Sequence, residues 1–377
     1  MRILFFVSSM HAGGAERVAA TLASAWASRG DTIRLVPTYT GKGTCFYTLH
    51  PGVQLDWLAD RMGWLGRVCP PLAKWFAMRR LVQEFRPDVV LSFLTNVNVM
   101  VLLATHKLGV PVIVSERTNA AYSTSAGAVF SRLRRWLYPW ASLVVLQSRH
   151  GLASFKKLEP GVHNLAVMPN PLPPSMPEPP EPRAQSPGSR RQLMAMGRMV
   201  PSKRFASLIE AFASLSGAFP DWDLTIWGEG PLRPELERLV QALGLSGRVL
   251  LPGRTEAPWE ALAQADAFAL VSEVEGFPNV LIEAMALGRA CVTVDCPSGP
   301  REITRDGQFA ELVPLHDTQA LEDALARLMR DPLLREVMGR RAAAWVRQHY
   351  GIAEILARWD ALFEETGRRH SERIHER

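Results

Sequence analysis

The segment Ser272-Glu273-Val274-Glu275-Gly276-Phe277-Pro278-Asn279-Val280-Leu281-Ile282-Glu283-Ala284 sets two carboxylates, Glu275 and Glu283, around a predicted helix start. Pro278 suits a first helical position, where the missing N–H would have no intrahelical partner. The N–H groups near Phe277–Val280 then carry the positive end of a helix dipole. From Pro278 to Glu283 the helix advances roughly 8 Å. That is about the reach from the sugar of a nucleotide-sugar, past its diphosphate, to the ribose, with a carboxylate at each end to hold hydroxyls. A second cluster, Gly197-Arg198-Met199-Val200-Pro201-Ser202-Lys203, offers a guanidinium and an ammonium beside a helix start, a pair that can clamp a diphosphate. A third, Met10-His11-Ala12-Gly13-Gly14-Ala15-Glu16-Arg17, opens a helix with two glycines, which let backbone N–H groups approach an anion. It lacks the G-x-G-x-x-G spacing of a nicotinamide-binding turn. Each cluster taken alone also fits a bland role: a tight turn for Gly-Gly, solvated surface charges for Arg198 and Lys203, an N-terminal glutamate for Glu275.

All three clusters follow short apolar runs, as loops after parallel strands should. Strands are predicted at Ile3–Ser8, Thr32–Pro37, Val89–Leu94, Val110–Ser115 and Ser142–Leu146, with helical stretches between, such as His11–Arg29 stopped by Gly30. The pattern repeats with strands Arg191–Met196, Leu224–Trp227, Val249–Leu251, Ala267–Val271 and Ala290–Val294 and helices Phe205–Ser216, Pro234–Leu243, Pro258–Gln264 and Asn279–Leu287. This is βαβ logic twice over, an α/β chain of two doubly wound parallel sheets. Between them, residues 169–187 hold nine prolines in nineteen residues, which excludes helix or central strand. The expected organisation is an N-terminal domain over 1–170, a Pro-rich linker over 171–190, a second domain over 191–350, and a C-terminal segment over 351–377. In that segment an amphipathic helix, Ile352–Thr366, can pack back on the first domain, and a polar tail, 367–377, frays. Two such sheets facing a cleft bind ligands at their carboxyl edges.

Composition is that of an ordinary globular chain: 377 residues, 47% apolar and 21% charged. Four cysteines (Cys45, Cys69, Cys291, Cys296), none in a C-x-x-C pair, support neither a zinc ribbon nor a redox motif and fit a reducing compartment. Residues 1–180 carry 19 Lys/Arg against 9 Asp/Glu and the remainder 24 against 28, so the halves face different partners. Ser8-Ser9, His11 and Glu16 soon after the first apolar run argue against a signal peptide, and Asn96 and Asn98 argue against a membrane span at 89–106.

Gly13-Gly14-Ala15-Glu16, Gly197-Arg198 with Lys203, Trp227-Gly228-Glu229-Gly230-Pro231, and Glu275-Gly276-Phe277-Pro278 with Glu283 occur in that order. Together they resemble the retaining GT-B glycosyltransferases of family 4, whose E-x7-E motif Glu275 and Glu283 match. Ser92-Phe93-Leu94, Val114-Ser115-Glu116-Arg117 and Cys296-Pro297-Ser298-Gly299-Pro300-Arg301-Glu302 resemble a bacterial branch that extends lipid-linked saccharides from UDP-hexoses or UDP-N-acetylhexosamines. The resemblance implies that Glu275, Arg198 and Lys203 are catalytic. It implies a donor-binding set of Gly13, Gly14, Gly197, Gly228, Gly230, Arg254, Phe277, Pro278, Asn279, Val280 and Glu283, with Glu283 on the ribose. Where many members carry a histidine after the strand ending at Ser115, this chain has Glu116-Arg117.

The implied activity is transfer of a hexose or N-acetylhexosamine from a UDP-sugar to a lipid-linked saccharide acceptor. Fixed cations at the leaving diphosphate lower the barrier without a metal or other cofactor. The leaving phosphate then helps to deprotonate the acceptor. Alternatives on the same plan are a nucleotide-sugar epimerase or hydrolase, and an inactive sugar-nucleotide-binding subunit. Two stretches that mix arginine with aromatic residues, 64–80 and 130–140, suit an anionic membrane surface. Their candidate acceptor and membrane contacts are Arg79, Arg80, Arg117, Arg132, Arg134, Arg135 and Trp136. The same stretches also fit core-facing aromatic stripes with solvated backs. No nucleic-acid motif accompanies the charge. The expected location is the cytoplasmic face of the membrane, as a peripheral protein.

Overall fold

The computed structural model describes residues 1–39, 43–122, 127–181 and 189–375. The chain divides into two compact units, one of Met1–Pro174 with Ile352–Arg377, the other of Ser175–Gly351.

Unit 1 is built on a seven-stranded parallel sheet. Its strands are β1 (Arg2–Val7), β2 (Thr32–Pro37), β3 (Val53–Leu55), β4 (Val89–Phe93), β5 (Val112–Ser115), β6 (Leu143–Leu146) and β7 (Leu165–Val167), in the order β3-β2-β1-β4-β5-β6-β7. A strand covered on both faces must be apolar at every position, and Ile3 to Val7 are all buried. Ile3, Phe5 and Val7 enter one core cluster, Leu4 and Phe6 the other.

The C-terminal helix Ile352–His375 belongs to this unit. Ile355, Trp359 and Phe363 recur every four residues and lie in the same cluster as Trp26, with the Trp26 and Trp359 rings 5.9 Å apart edge to face. Burial of three such side chains contributes about 1.5–3 kcal/mol each, which holds the returning chain. The helix runs nine residues past Thr366, so the expected frayed tail is helical to His375. Gly367 does not stop it, because Glu365 pairs with Arg369 at 2.5 Å and Ser371 donates to the Gly367 carbonyl.

Unit 2 carries six parallel strands: β8 (Arg191–Met196), β9 (Trp222–Trp227), β10 (Val249–Gly253), β11 (Ala267–Leu270), β12 (Ala290–Val294) and β13 (Glu311–Val313), in the order β10-β9-β8-β11-β12-β13. The order reverses between β8 and β11, which pair through Ala267 with Leu193 and Phe268 with Met194. In such sheets the crevice opens at that reversal, beyond the carboxyl ends of the two strands. The expected linker splits: residues 175–181 lie in unit 2, strapped by Arg347, which pairs with Glu178 at 2.8 Å and donates to the Pro177 carbonyl. Residues 182–188 lie outside the described residues. No helix among the described residues is long and apolar enough to cross a membrane.

Candidate active site

The two loops that leave β8 and β11 flank the reversal point of unit 2, and they are the Gly197–Lys203 and Ser272–Pro278 segments. They are tied to each other, since the Glu273 N–H donates to the Ser202 carbonyl at 2.7 Å. Lys203 Nζ meets Glu275 Oε1 at 2.5 Å, with the side chains 22% and 11% exposed. An ammonium and a carboxylate 72 residues apart in sequence are thus held at one spot by the strand order. Arg198, on the same loop as Lys203, is exposed, and its side chain makes no hydrogen bond or ion pair among the described residues. Its guanidinium is available to an anion. Glu283 lies inside helix Asn279–Ala286 and is 2% exposed.

Gly228 and Gly230 work from behind the first loop. Gly228 has φ +136°, and a Cβ there would collide with the Gly197 carbonyl; one on Gly230 would collide with Met199 backbone. The Gly197 N–H donates to the Trp227 carbonyl and the Met199 N–H to the Glu229 carbonyl, each at 2.9 Å. The Trp-Gly-Glu-Gly motif therefore shapes the cationic loop by close backbone approach.

The second loop is backed by the Cys296–Gly299 turn after β12. The Glu275 N–H donates to the Pro297 carbonyl at 2.8 Å, and the Ser298 N–H to the Glu275 carbonyl at 2.9 Å. Gly299, at φ +103°, lets Pro278 come within a distance that a Cβ would forbid. Burial pushes the Cys296 thiol up to about 12, with the Glu275 carboxylate adding to the effect, so this cysteine is inert at neutral pH. In the sequence, only the resemblance draws attention to the supporting residues Ser298 and Gly299. The signal for a structural role was a Pro-Ser-Gly-Pro turn directly after the strand next to the reversal.

Among the other expected donor-site residues, only the place of Pro278 changes. Phe277 is 7% exposed, and its ring packs edge to face on Tyr350, ring centroids 5.6 Å apart, so the ring serves packing. Pro278 is the residue before the helix, which starts at Asn279. Val280 is half-buried in its first turn, and Arg254 is exposed beyond β10 with no partner among the described residues.

In unit 1, Gly13 caps helix Gly14–Ser28 in an extended conformation. The Tyr47 hydroxyl accepts from the Gly13 N–H at 2.9 Å and donates to its carbonyl at 2.7 Å. The Glu16 carboxylate lies over Gly13, where a Cβ would collide with it, and accepts from Ser9 at 2.9 Å. This helix start already has a negative neighbour, which weakens its expected pull on an anion.

Of the candidate acceptor and membrane arginines, two are interior and a third, Arg79, is half-buried. Arg134 pairs with Glu159 at 2.9 Å, at 5% and 3% exposure. Arg117 is buried over the Phe93 ring and donates to Asn170; burial pushes its guanidinium down to about 9. Arg79 donates at 3.0 Å to the carbonyls of Ala104 and His106, closing the C-terminal end of helix Thr95–Thr105. Glu116, beside Arg117, is buried and accepts from Thr95 and Tyr138. Burial holds its carboxyl above the ordinary range. Arg80, Arg132, Arg135 and Trp136 are exposed, the last at 75%.

Comparison with known proteins agrees with this architecture. The family described as "Glycosyl transferases group 1" matches residues 181–345, and that described as "Glycosyl transferase 4-like domain" matches residues 13–171. An exopolysaccharide phosphotransferase of Streptomyces coelicolor is 29% identical over 395 residues, an alignment that takes in 97% of this chain and 41% of that protein. The chain thus spans about two fifths of that relative's length. A Campylobacter jejuni α-1,4-N-acetyl-D-galactosaminyltransferase, named for a diNAcBac-PP-undecaprenol-linked acceptor, is 27% identical over 369 residues, covering 97% of this chain and 99% of that one. Among solved structures, Anabaena HepE in complex with UDP-glucose has a TM-score of 0.75 at 19% identity, covering all of both chains, a likeness of fold. With one glycosyltransferase family matched on each doubly wound unit, the chain belongs to the family 4 glycosyltransferases of the GT-B fold.

Proposed function

We propose that this chain is a retaining transferase that moves a hexose or N-acetylhexosamine from a UDP-sugar to a lipid-linked saccharide. The observation that carries the reading is the meeting of Lys203 and Glu275 at the reversal point of unit 2, beside the unpartnered Arg198. UDP-glucose is bound by HepE, and a lipid-linked acceptor appears in the name of the Campylobacter relative.

In the proposed reaction the anomeric C–O bond breaks, and its electron pair leaves on the β-phosphate oxygen. Positive charge builds on the sugar and negative charge on the diphosphate. Arg198 and Lys203 stabilise the latter, a role preorganised cations fill without a metal ion. The acceptor hydroxyl attacks from the face the leaving group departs, and its proton passes to the leaving phosphate oxygen. Glu275 holds donor-sugar hydroxyls and Glu283 the ribose.

A membrane surface is the proposed place of work. Trp64, Leu72, Phe76, Val129 and Trp136 are exposed, with Arg67, Arg80, Arg132 and Arg135 among them. Helices Pro70–Phe85 and Gly127–Leu137 both pack on helix Thr95–Thr105, so Leu72, Phe76, Arg80, Val129, Arg132, Arg135 and Trp136 are carried on one side of the unit 1 sheet. Exposed aromatics interleaved with arginine suit the interface of an anionic bilayer.

One experiment tests both halves. Anionic vesicles carrying undecaprenyl-diphosphate-linked saccharide are incubated with the chain, UDP-sugars and EDTA. The expected result is flotation with the vesicles at low salt, UDP release that depends on acceptor, and a product with the donor's anomeric configuration. UDP release without acceptor indicates a hydrolase, donor isomerisation an epimerase, and binding without turnover an inactive subunit. An inverted product contradicts the mechanism, and no flotation contradicts the membrane reading.

A further inference from the structure

Ser298 lies in the turn after β12, is 2% exposed, and bonds to the Glu275 loop beside Pro297, whose carbonyl accepts from the Glu275 N–H. Its hydroxyl is shared between two successive carbonyls, those of Glu275 at 3.2 Å and Gly276 at 3.1 Å. Its own N–H adds a second bond to the Glu275 carbonyl, at 2.9 Å.

The consequence follows from peptide geometry. In a planar trans peptide the carbonyl of one residue and the N–H of the next point in opposite directions. Two carbonyls drawn to Ser298 therefore turn the N–H groups of Gly276 and Phe277 away from it, side by side. Neither N–H has a hydrogen-bond partner among the described residues. Two adjacent, unpartnered amides on the same side of a loop can receive an anionic group. It sits on the residues that immediately follow Glu275, whose carboxylate is in contact with Lys203.

We infer that Ser298 is a positioning residue, which turns the Gly276 and Phe277 amides toward the β-phosphate of the bound nucleoside diphosphate. This rests on the reading of the site as a UDP-sugar site. Ser298 touches no substrate in this scheme and acts through the backbone of the Glu275 loop. The Ser298 hydroxyl also explains why Gly276 can present its amide without a side chain to anchor the loop.

Calorimetric titration of the full chain with UDP and with UMP separates this role from a merely structural one, because UMP lacks the β-phosphate. Ser298→Ala is expected to weaken UDP binding about tenfold while leaving UMP within about twofold, the size of effect that a lost hydrogen-bonded anchor gives. Ser298→Thr, which keeps the hydroxyl, is expected to restore UDP affinity. Parallel weakening of both nucleotides, or UDP affinity unchanged in Ser298→Ala, overturns the inference. Hydrogen exchange on the wild-type chain needs no variant: UDP should slow exchange at Gly276 and Phe277 and UMP should not, and absence of slowing overturns the inference too. A wild-type chain that binds UDP no tighter than UMP overturns the underlying site reading along with it. A wild-type preference for UDP that Ser298→Ala retains overturns this inference alone.

Discussion

Arg198→Ala is expected to lower kcat by about 10²–10³-fold, the loss seen when one fixed partner of a developing negative charge is removed. KM for the acceptor should hardly move, because the guanidinium acts on the leaving diphosphate. Since the Arg198 side chain is exposed and makes no bond among the described residues, its removal should leave stability within about 0.5 kcal/mol of the parent. Lys203→Met should give a kcat loss of similar size by a different route. It removes the ammonium and also frees Glu275, whose Oε1 it holds at 2.5 Å. The lone carboxylate then sits beside the phosphates and repels them, so donor affinity should fall as well. Steady-state kinetics with donor and acceptor varied separately distinguish the two patterns. A kcat unchanged in Arg198→Ala would remove it from the chemistry.

The second large effect is on stability. Arg134 and Glu159 form an ion pair at 2.9 Å with both side chains nearly inaccessible. Helix Gly127–Leu137 supplies the arginine, and Glu159 follows directly on helix Arg149–Leu158. The Arg134 guanidinium also lies 5.7 Å from the Phe155 ring centre. Removing one partner strands the other charge in a low-dielectric interior, at a cost of about 3–5 kcal/mol. Glu159→Ala should therefore lower Tm by roughly 10 °C, given about 2–4 °C per kcal/mol for a unit of this size. The double change Arg134→Met with Glu159→Leu should recover most of it, because no charge is left unpaired. Thermal unfolding followed by circular dichroism decides the matter. A Glu159→Ala shift below about 2 °C would show that the pair is solvated.

That pair illustrates what the linear sequence conceals. Arg132, Arg134, Arg135 and Trp136 read as one basic aromatic face, yet helical geometry turns Arg134 toward the sheet and leaves the other three outside. The partner, Glu159, is 25 residues away, and nothing local marks it. Arg117 is buried for the same reason, held by the distant Asn170 amide, while half-buried Arg79 reaches carbonyls at the end of helix Thr95–Thr105.

The strands were legible where they are central and buried on both faces: Thr32–Pro37, Arg191–Met196 and Ala290–Val294 fall where the apolar runs place them. The three-residue edge strands Val53–Leu55, Leu165–Val167 and Glu311–Val313 went unread, being too short to show a period. So did helices Thr318–Arg330 and Pro332–Tyr350, separated only by Asp331, whose carboxylate caps the second.

In the candidate site, Lys203 and Glu275 stand out by residue type in loops after apolar runs, whereas their meeting comes from the strand order, which the sequence does not state. The buried Phe277 ring, the glycines behind the cationic loop and the Ser298 anchor depend on packing between loops. Such packing leaves no periodic trace. The backbone freedom of the Gly-Gly turn at Gly13 fits an anion site and a tight turn alike. The Glu16 side chain that folds back over it could not be foreseen from spacing.

The central claim is that unit 2 grips a nucleoside diphosphate between Arg198, Lys203 and the loop that follows Glu275. Crystals of the chain grown with UDP test it directly. The account expects the β-phosphate within about 3 Å of the Lys203 ammonium and the Gly276 and Phe277 amides, the Arg198 guanidinium on the diphosphate, and the ribose at Glu283. A diphosphate bound away from the reversal between β8 and β11, or a Lys203–Glu275 contact undisturbed by the nucleotide with no phosphate beside it, would contradict it.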